Sequence, residues 1–510
     1  MSDSSAAAES PSPFRRFVKY AFFGIVALIL LGLLVAGFEN WRGRRAWEKF
    51  RAEWEAKGEQ FDIAAFIPKP VPPEQNFATT PLLAPLLDYD RHTPGKWRDP
   101  AGWNRANALA GAFNDVRGRK VPKTGNWQTA TFAELDEWRD YFAGNTNFPF
   151  ASPPKDAARD VLAALRKFDA ELDELTAAAA RPYSVFPVHY EEHINTLLPH
   201  LATLKGIAQL ARLRAVARLG ADDKAGALRD VRLGLRLAEA GRSEPITISH
   251  LVRIASLQIV MQAVWEGLAR HQWTEEQLAE LQSALANIRL LDDYSRTIRG
   301  ERAFSNLMID ELRTGRMAMS SLGDALGSSE NQGVVSSAGW VVPGGWFYQN
   351  QLTLNRLYQE RCLPLVDATK HRVYARQTRE ADDVPELKNR GLYNIFARLL
   401  FPAITKIAAK FANGQTTVDL ATVACALERH RLATGQYPTQ LDLLVPRFIV
   451  KIPTDVITGE LLKYRRDPDG TFVLYSVGWN ETDDGGEAGV TKSGAATDPN
   501  KGDWVWRYPK

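Results

Sequence analysis

Hydrophobic positions follow distinct patterns along the chain, and each predicts a different kind of element. From Tyr20 to Phe38 the run YAFFGIVALILLGLLVAGF carries no charge. At about 1.5 Å per residue it reaches roughly 28 Å, close to the hydrocarbon thickness of a bilayer. A membrane-spanning helix is therefore predicted over 20–38, behind an N-terminal tail of residues 1–19. The run is long, no small-x-small site follows it, and Glu39-Asn40-Trp41-Arg42 comes directly after. Those features argue for a retained anchor over a cleaved signal peptide. Between Gly43 and Gly58, RRAWEKFRAEWEAK sets Trp47, Phe50 and Trp54 on one helical face. Segment 39–65 thus reads as a juxtamembrane helix, either a stalk packing on the body or a helix lying on lipid headgroups.

Residues 66–150 read as an extended, irregular connector. Its prolines, among them Pro68, Pro70, Pro72, Pro73, Pro81 and Pro85, remove backbone donors and disfavour helix before them. Leu82, Leu83, Leu86 and Leu87 suggest that it lies against the body. A helical body follows over 151–315, with helices expected at Asp156–Ala180, Leu197–Leu219, Lys224–Ala240, Ile246–Leu268, Thr274–Ile288 and Tyr294–Arg313. Thr274 and Gln277 have the spacing of a capping box. ARLGADDKAGALRDVRLGLRLAEA resembles one helix-turn-helix unit of a tetratricopeptide array, but no copies at a fixed period support a solenoid. Segment 316–345 is a Gly/Ser-rich loop ending in GWVVPGGWFYQN. Its Trp340, Trp346, Phe347 and Tyr348 line a ligand surface or anchor the loop. A helical continuation, 346–412, contains expected helices at Gln349–Arg376 and Tyr393–Ala412.

In the last segment, 413–510, Thr416-Thr417-Val418-Asp419 reads as the cap of a helix that ends at Gly435, with Pro438 beyond. Leu441–Val445 is a short helical turn. Leu461–Arg465 and Thr471–Val477 alternate as strands around the turn Asp467-Pro468-Asp469-Gly470, and Trp504-Val505-Trp506 makes a final strand. The fold class is mainly α, with one N-terminal transmembrane helix, a helical body and a small C-terminal α+β domain.

Composition adds bounds. At 510 residues, two or three globular units are expected, and a net charge of +3 gives no reason to invoke nucleic acid. The only cysteines, Cys362 and Cys425, exclude a disulfide framework; two unpaired buried thiols are favoured over one bridge. His189-Tyr190-Glu191-Glu192-His193 fits H-x-x-E-H, in which His189 and His193 would hold zinc and Glu192 would act as general base for a metal-bound water. Pro187 places the pair in the first turn of any helix there, so a helix-start surface cluster is the favoured alternative. No phosphate-binding loop, dinucleotide fingerprint or nucleophile elbow occurs.

ALERHRLATGQYPTQLDLLV and YRRDPDGTFVLYSVGWNETDDGG, in that order, resemble the C-terminal domain of the major pseudopilin of type II secretion. The likeness covers about 90 of the 510 residues, and the whole chain looks like bacterial membrane-anchored proteins with such a tail. It implies a pseudopilin-like fold for 413–510 and calcium in the acidic loop, with Asn480, Asp483, Asp484 and Asp503 as side-chain ligands. Two departures stand out: extra residues around Glu481-Thr482, and Asn480 where Asp is usual. A metal-free turn is the alternative. The Phe-Thr-Leu-Ile-Glu segment of a pilin N-terminus is missing, which argues against filament assembly. Arg42, Arg44, Arg45, Lys49 and Arg51 after the span would tilt the body towards the cytoplasm, but the tail argues for export. The expectation is a single-pass inner-membrane protein, mostly periplasmic, that interacts with the bilayer and with other envelope proteins as a scaffold. The alternatives are a zinc-dependent hydrolase and an accessory of a secretion system.

Overall fold

A computed structural model describes residues 13–90, 93, 95–113, 120–143, 145, 147–149, 155–318, 342–381, 383–389, 391–492 and 496–509. It is mainly helical. The helices are α1 (Pro13–Glu55), α2 (Pro100–Ala110), α3 (Leu135–Ala143), α4 (Ala157–Leu165), α5 (Asp169–Ala178), α6 (Pro199–Gly220) and α7 (Lys224–Glu239). They continue with α8 (Thr247–Ala269), α9 (Glu275–Ala286), α10 (Leu290–Thr314), α11 (Gly344–Leu357), α12 (Ala375–Ala381) and α13 (Ile395–Thr434). Seven short strands are β1 (Val366–Asp367), β2 (Arg372–Val373), β3 (Lys463–Arg466), β4 (Phe472–Ser476), β5 (Ala488–Val490), β6 (Thr497–Gly502) and β7 (Trp504–Arg507). The chain divides into two compact units, one of Met1–Gln60, Asn306–Arg356 and Glu386–Leu399, the other of Phe61–Ser305, Leu357–Pro385 and Leu400–Lys510.

In the first unit, α1 is one unbroken helix through both the apolar run and the amphipathic segment. Its apolar window has a mean hydropathy of 2.7 and none of it is buried. Past Phe38 the helix changes character: Trp47 and Phe50 are buried while Arg44 and Lys49 stay exposed. Gly43 is required here, because a Cβ on it would sit 2.5 Å from the Gly345 carbonyl oxygen. That close approach lets the Asn40 side chain accept the Gly345 amide at 2.6 Å, holding the start of α11. Trp346 and Phe347 pack on Phe396, and Arg313 lies over the Tyr348 ring at 4.6 Å. These aromatics anchor the chain onto the unit's core; Trp340 lies outside the described residues.

The second unit is built on the α6–α7 hairpin with α8 packed against both. Asp223 caps α7 by accepting the Gly226 amide. Buried charge is paired: Arg214 makes a two-pronged bond to Asp230 across the hairpin, and Arg253 bonds Glu239 and Asp293. The stretch 66–150, expected to be extended and irregular, forms short 3-10 turns and also the helices α2 and α3, and its Leu82, Leu83, Leu86 and Leu87 are all buried. The capping box forms as expected, Thr274 accepting the Gln277 amide and Gln277 answering.

Three further expectations are corrected. The expected helix over Gln349–Arg376 stops at Leu357 and gives way to a π turn, then to a 3-10 turn containing Pro364 and the β1–β2 hairpin. Asp156–Ala180 divides at a 3-10 turn into α4 and α5. Tyr393–Ala412 and the helix capped at Thr416 are a single helix, α13, which runs straight through the expected cap at Thr416–Asp419. Gly414 is there for packing: a Cβ would meet Leu290 at 2.8 Å and Ile254 at 3.1 Å. The end of α13 is as expected, with Gly435 at φ +84. Beyond it, β3–β4–β7 form an antiparallel sheet in which Leu474 faces Tyr464 and Trp506, and β5–β6 form a separate hairpin. Trp506 packs on Trp127, and the Trp265 indole donates to the Arg507 carbonyl, which seats the sheet on this unit's helices.

Candidate functional site

Every residue of α13 from Phe411 to Glu428 is buried, yet the stretch carries two carboxylates, Asp419 and Glu428. A buried carboxylate is costly unless it is paired. Each is met by a histidine in the left-handed backbone region, His371 at φ +52 and His271 at φ +54. Few residues other than glycine adopt that region; His271 does so just past the end of α8, and His371 in the turn between β1 and β2. The carboxylates lie two and a half turns apart and so face opposite sides of the helix.

The Glu428 cluster is closed. His271 Nδ1 lies 2.9 Å from the carboxylate, the Tyr437 hydroxyl donates at 2.6 Å, and Arg431 donates twice. Burial pushes the Glu428 pKa up, but the bonds from His271, Arg431 and Tyr437 outweigh it and hold the carboxyl at about 2. This cluster ties the Gly435–Pro438 bend to the helix.

The Asp419 cluster is open. His371, in the β1–β2 turn, brings Nε2 to 2.7 Å from Asp419 Oδ2, while Gln415 donates to Oδ1 at 2.9 Å. Gln415 is itself held by the Leu290 amide. Because an ionised carboxylate only accepts, Nε2 carries the proton, leaving Nδ1 without a partner among the described residues. Burial would lower the His371 pKa, but the hydrogen bond and charge of Asp419 prevail and raise it above 6.5; Arg289 opposes and Asp292 adds. The ring lines a groove of about 850 Å³ between α9, the β1–β2 turn, α13 and the Pro446–Thr454 loop. Apolar lining comes from Leu285, Val418 and Phe448, and Arg289, Arg429, Arg447 and Lys451 supply positive charge. Such a cleft can bind an anionic, partly apolar ligand, and the dyad can accept or release a proton.

Comparison with known proteins gives no match. No protein-family model, no curated protein and no solved structure matches the chain.

The residues singled out from sequence lie elsewhere. His189 precedes a 3-10 helix, Tyr190–Asn195, whose three-residue turns do not align positions four apart as an α-helix does. His189 packs edge-on against Tyr89 at 5.5 Å, and the Tyr89 hydroxyl donates to Glu192 at 3.1 Å. The His193 side chain lies outside the described residues. In the acidic loop, Asp503 accepts the amides of Asp484 and Gly486, and burial raises its pKa. Asp483 accepts from Gly485 and the Tyr475 hydroxyl, and these bonds lower its pKa; its other oxygen faces Lys463 at 3.7 Å. The Asn480 amide donates to Asp484 at 2.8 Å. As arranged, each of these carboxylates serves an N–H or O–H donor within the turn. Among the described residues no three His, Cys, Asp or Glu side chains are grouped to hold a metal. Cys362 and Cys425 are buried thiols with no disulfide between them, and burial pushes the Cys425 thiol up to about 12.

Sequence reading missed His371 and Asp419. They are 48 residues apart and match no motif; the one local signal was Pro364, which forbids a helix through to Arg376.

Proposed function

We propose that this protein is a membrane-anchored interaction protein of the bacterial envelope. In this reading α1 crosses the inner membrane, the rest lies on the periplasmic side, and its surfaces bind other envelope proteins. The observation that carries the reading is the α1 window, apolar at a mean hydropathy of 2.7 and without any buried share. Apolar surface left in water costs about 25 cal/mol per Å², and a bilayer removes that exposure. Binding is favoured over chemistry because, among the described residues, the His371 ring bonds only Asp419 and no hydroxyl or thiol. Export is supported by the likeness of the tail to secretion pseudopilins, which also motivates a role beside a secretion machine.

Protease protection on intact cells and on spheroplasts tests the topology: the body should be degraded only once the outer barrier is opened. Robust turnover of peptides or glycans by the purified protein would sink the interaction reading, and a clean pull-down without secretion components would remove the accessory role.

A further inference from the structure

The groove at His371 has a charge pattern that identifies its occupant. Arg289 is neutralised by Asp292 at 2.6 Å and Arg429 by Glu275 at 2.8 Å, while His371 is held by Asp419. Arg447 and Lys451 differ: both are exposed on the rim, and neither has a carboxylate partner among the described residues. Arg447 instead lies over the Phe448 ring at 5.0 Å. Unpaired positive charge therefore remains at one edge of the groove after every internal pair is subtracted.

The same edge is apolar and its backbone is unused. Val450, between the two cations, is 89% exposed, and Leu443 and Val445 just before the loop are exposed as well. Leaving a side chain such as Val450 in water forgoes roughly 1.5–3 kcal/mol of burial. Val450 and Lys451 are exposed, and among the described residues their amides donate no hydrogen bond. Their donors are thus open to the backbone of an extended chain. The loop itself is firmly held from beneath, because the Phe448 carbonyl accepts from both Gln282 and Arg429.

The geometry points to this groove as the docking site of an extended, acidic peptide segment of a partner protein, its carboxylates on Arg447 and Lys451 and an apolar side chain against Val450. This deepens the interaction reading above and rests on it. Small dicarboxylates share the charge but have no side chain to place against the apolar rim, and anionic lipid is the competing occupant that the test separates.

The test uses the full chain in nanodiscs of neutral lipid and a displayed library of random decapeptides. Selected peptides should be net acidic with at least one large apolar residue. Their affinity should fall about tenfold or more, a loss of about 1.4 kcal/mol, in the double variant R447E/K451E. It should also fall as salt is raised from about 50 to about 300 mM. Both substituted side chains are exposed, so circular dichroism should be unchanged, and Val450→Asp should weaken binding independently. No selection of acidic peptides, binding indifferent to R447E/K451E, or equal competition by succinate or anionic-lipid vesicles would each overturn the proposal. If that happens while the chain remains in the membrane fraction, the groove assignment fails and the anchored-interaction reading survives.

Discussion

Helices α1 and α8 are both long and apolar enough to cross a bilayer, and their surroundings are opposite. The α1 window has a mean hydropathy of 2.7 and no buried share, whereas α8 has 1.2 and is 67% buried inside its unit. What separates them is polar residues. Between Tyr20 and Phe38 there is no charge, so nothing there needs a protein partner. Helix α8 carries Arg253, Glu266 and His250, each buried and each answered. Arg253 is bonded by Glu239 and Asp293, Glu266 by the Ala133 amide and Gln262, and His250 by the Glu244 carbonyl. Apolar composition says that a helix leaves water; the polar residues on it say whether protein or lipid receives it.

The largest effect expected from breaking this contrast is a charge placed where no partner exists. Val264 on α8 is fully buried, so Val264→Arg strands a charge in the core, at a cost comparable to the 5–15 kcal/mol that holds a domain together. Its cooperative thermal transition should vanish. Leu31→Arg on α1 should leave that transition in place and reduce membrane insertion by about 2.5–3.5 kcal/mol.

Removing a charge that does have partners comes next. Arg253→Ala leaves Glu239 and Asp293 without their cation and should cost about 3–5 kcal/mol in urea unfolding, while Arg253→Met, which refills the volume, should cost less.

Glu428→Gln follows, at roughly 3 kcal/mol near neutral pH, from a carboxyl held at about 2 against an ordinary 4.5. Because the folded pKa is depressed, this contribution is present above pH 4.5 and is lost as pH falls towards 2. The stability difference between wild type and variant should shrink over that interval.

The smallest effect belongs to the open pair. His371 has a folded pKa raised above 6.5, so its contribution is complete below pH 6.5 and is lost as pH rises through the folded value. With the ring partly exposed, Asp419→Asn should cost about 1 kcal/mol or less, seen as a melting-temperature difference that narrows from pH 5.5 to 8.5.

Much of the helical architecture was legible because its signals are local. The capping box at Thr274, the Asp223 cap of α7 and the positive φ at Gly435 each depend on neighbours a few residues away. The failures came where distant packing overrode a local signal. Thr416-Thr417-Val418-Asp419 reads as a helix start, but the preceding turn packs at Gly414 against Leu290 and Ile254 and the helix continues. Likewise, the groove depends on a turn at His371 meeting a helix at Asp419, with Gln415 fixed by the Leu290 amide from a third segment. No spacing along the chain encodes that meeting. Conversely, the H-x-x-E-H spacing at His189 was visible in sequence and has no matching α-helical geometry.

Membrane retention separates α1 from α8 most directly. Membranes carrying the wild-type chain and a Leu28→Arg/Leu31→Arg variant would be extracted with alkaline carbonate and the fractions compared. The wild type should stay in the pellet, and the variant should be released with its thermal transition intact. Release of the wild type, or a variant that stays in the pellet as firmly, would contradict the assignment of α1 as the anchor.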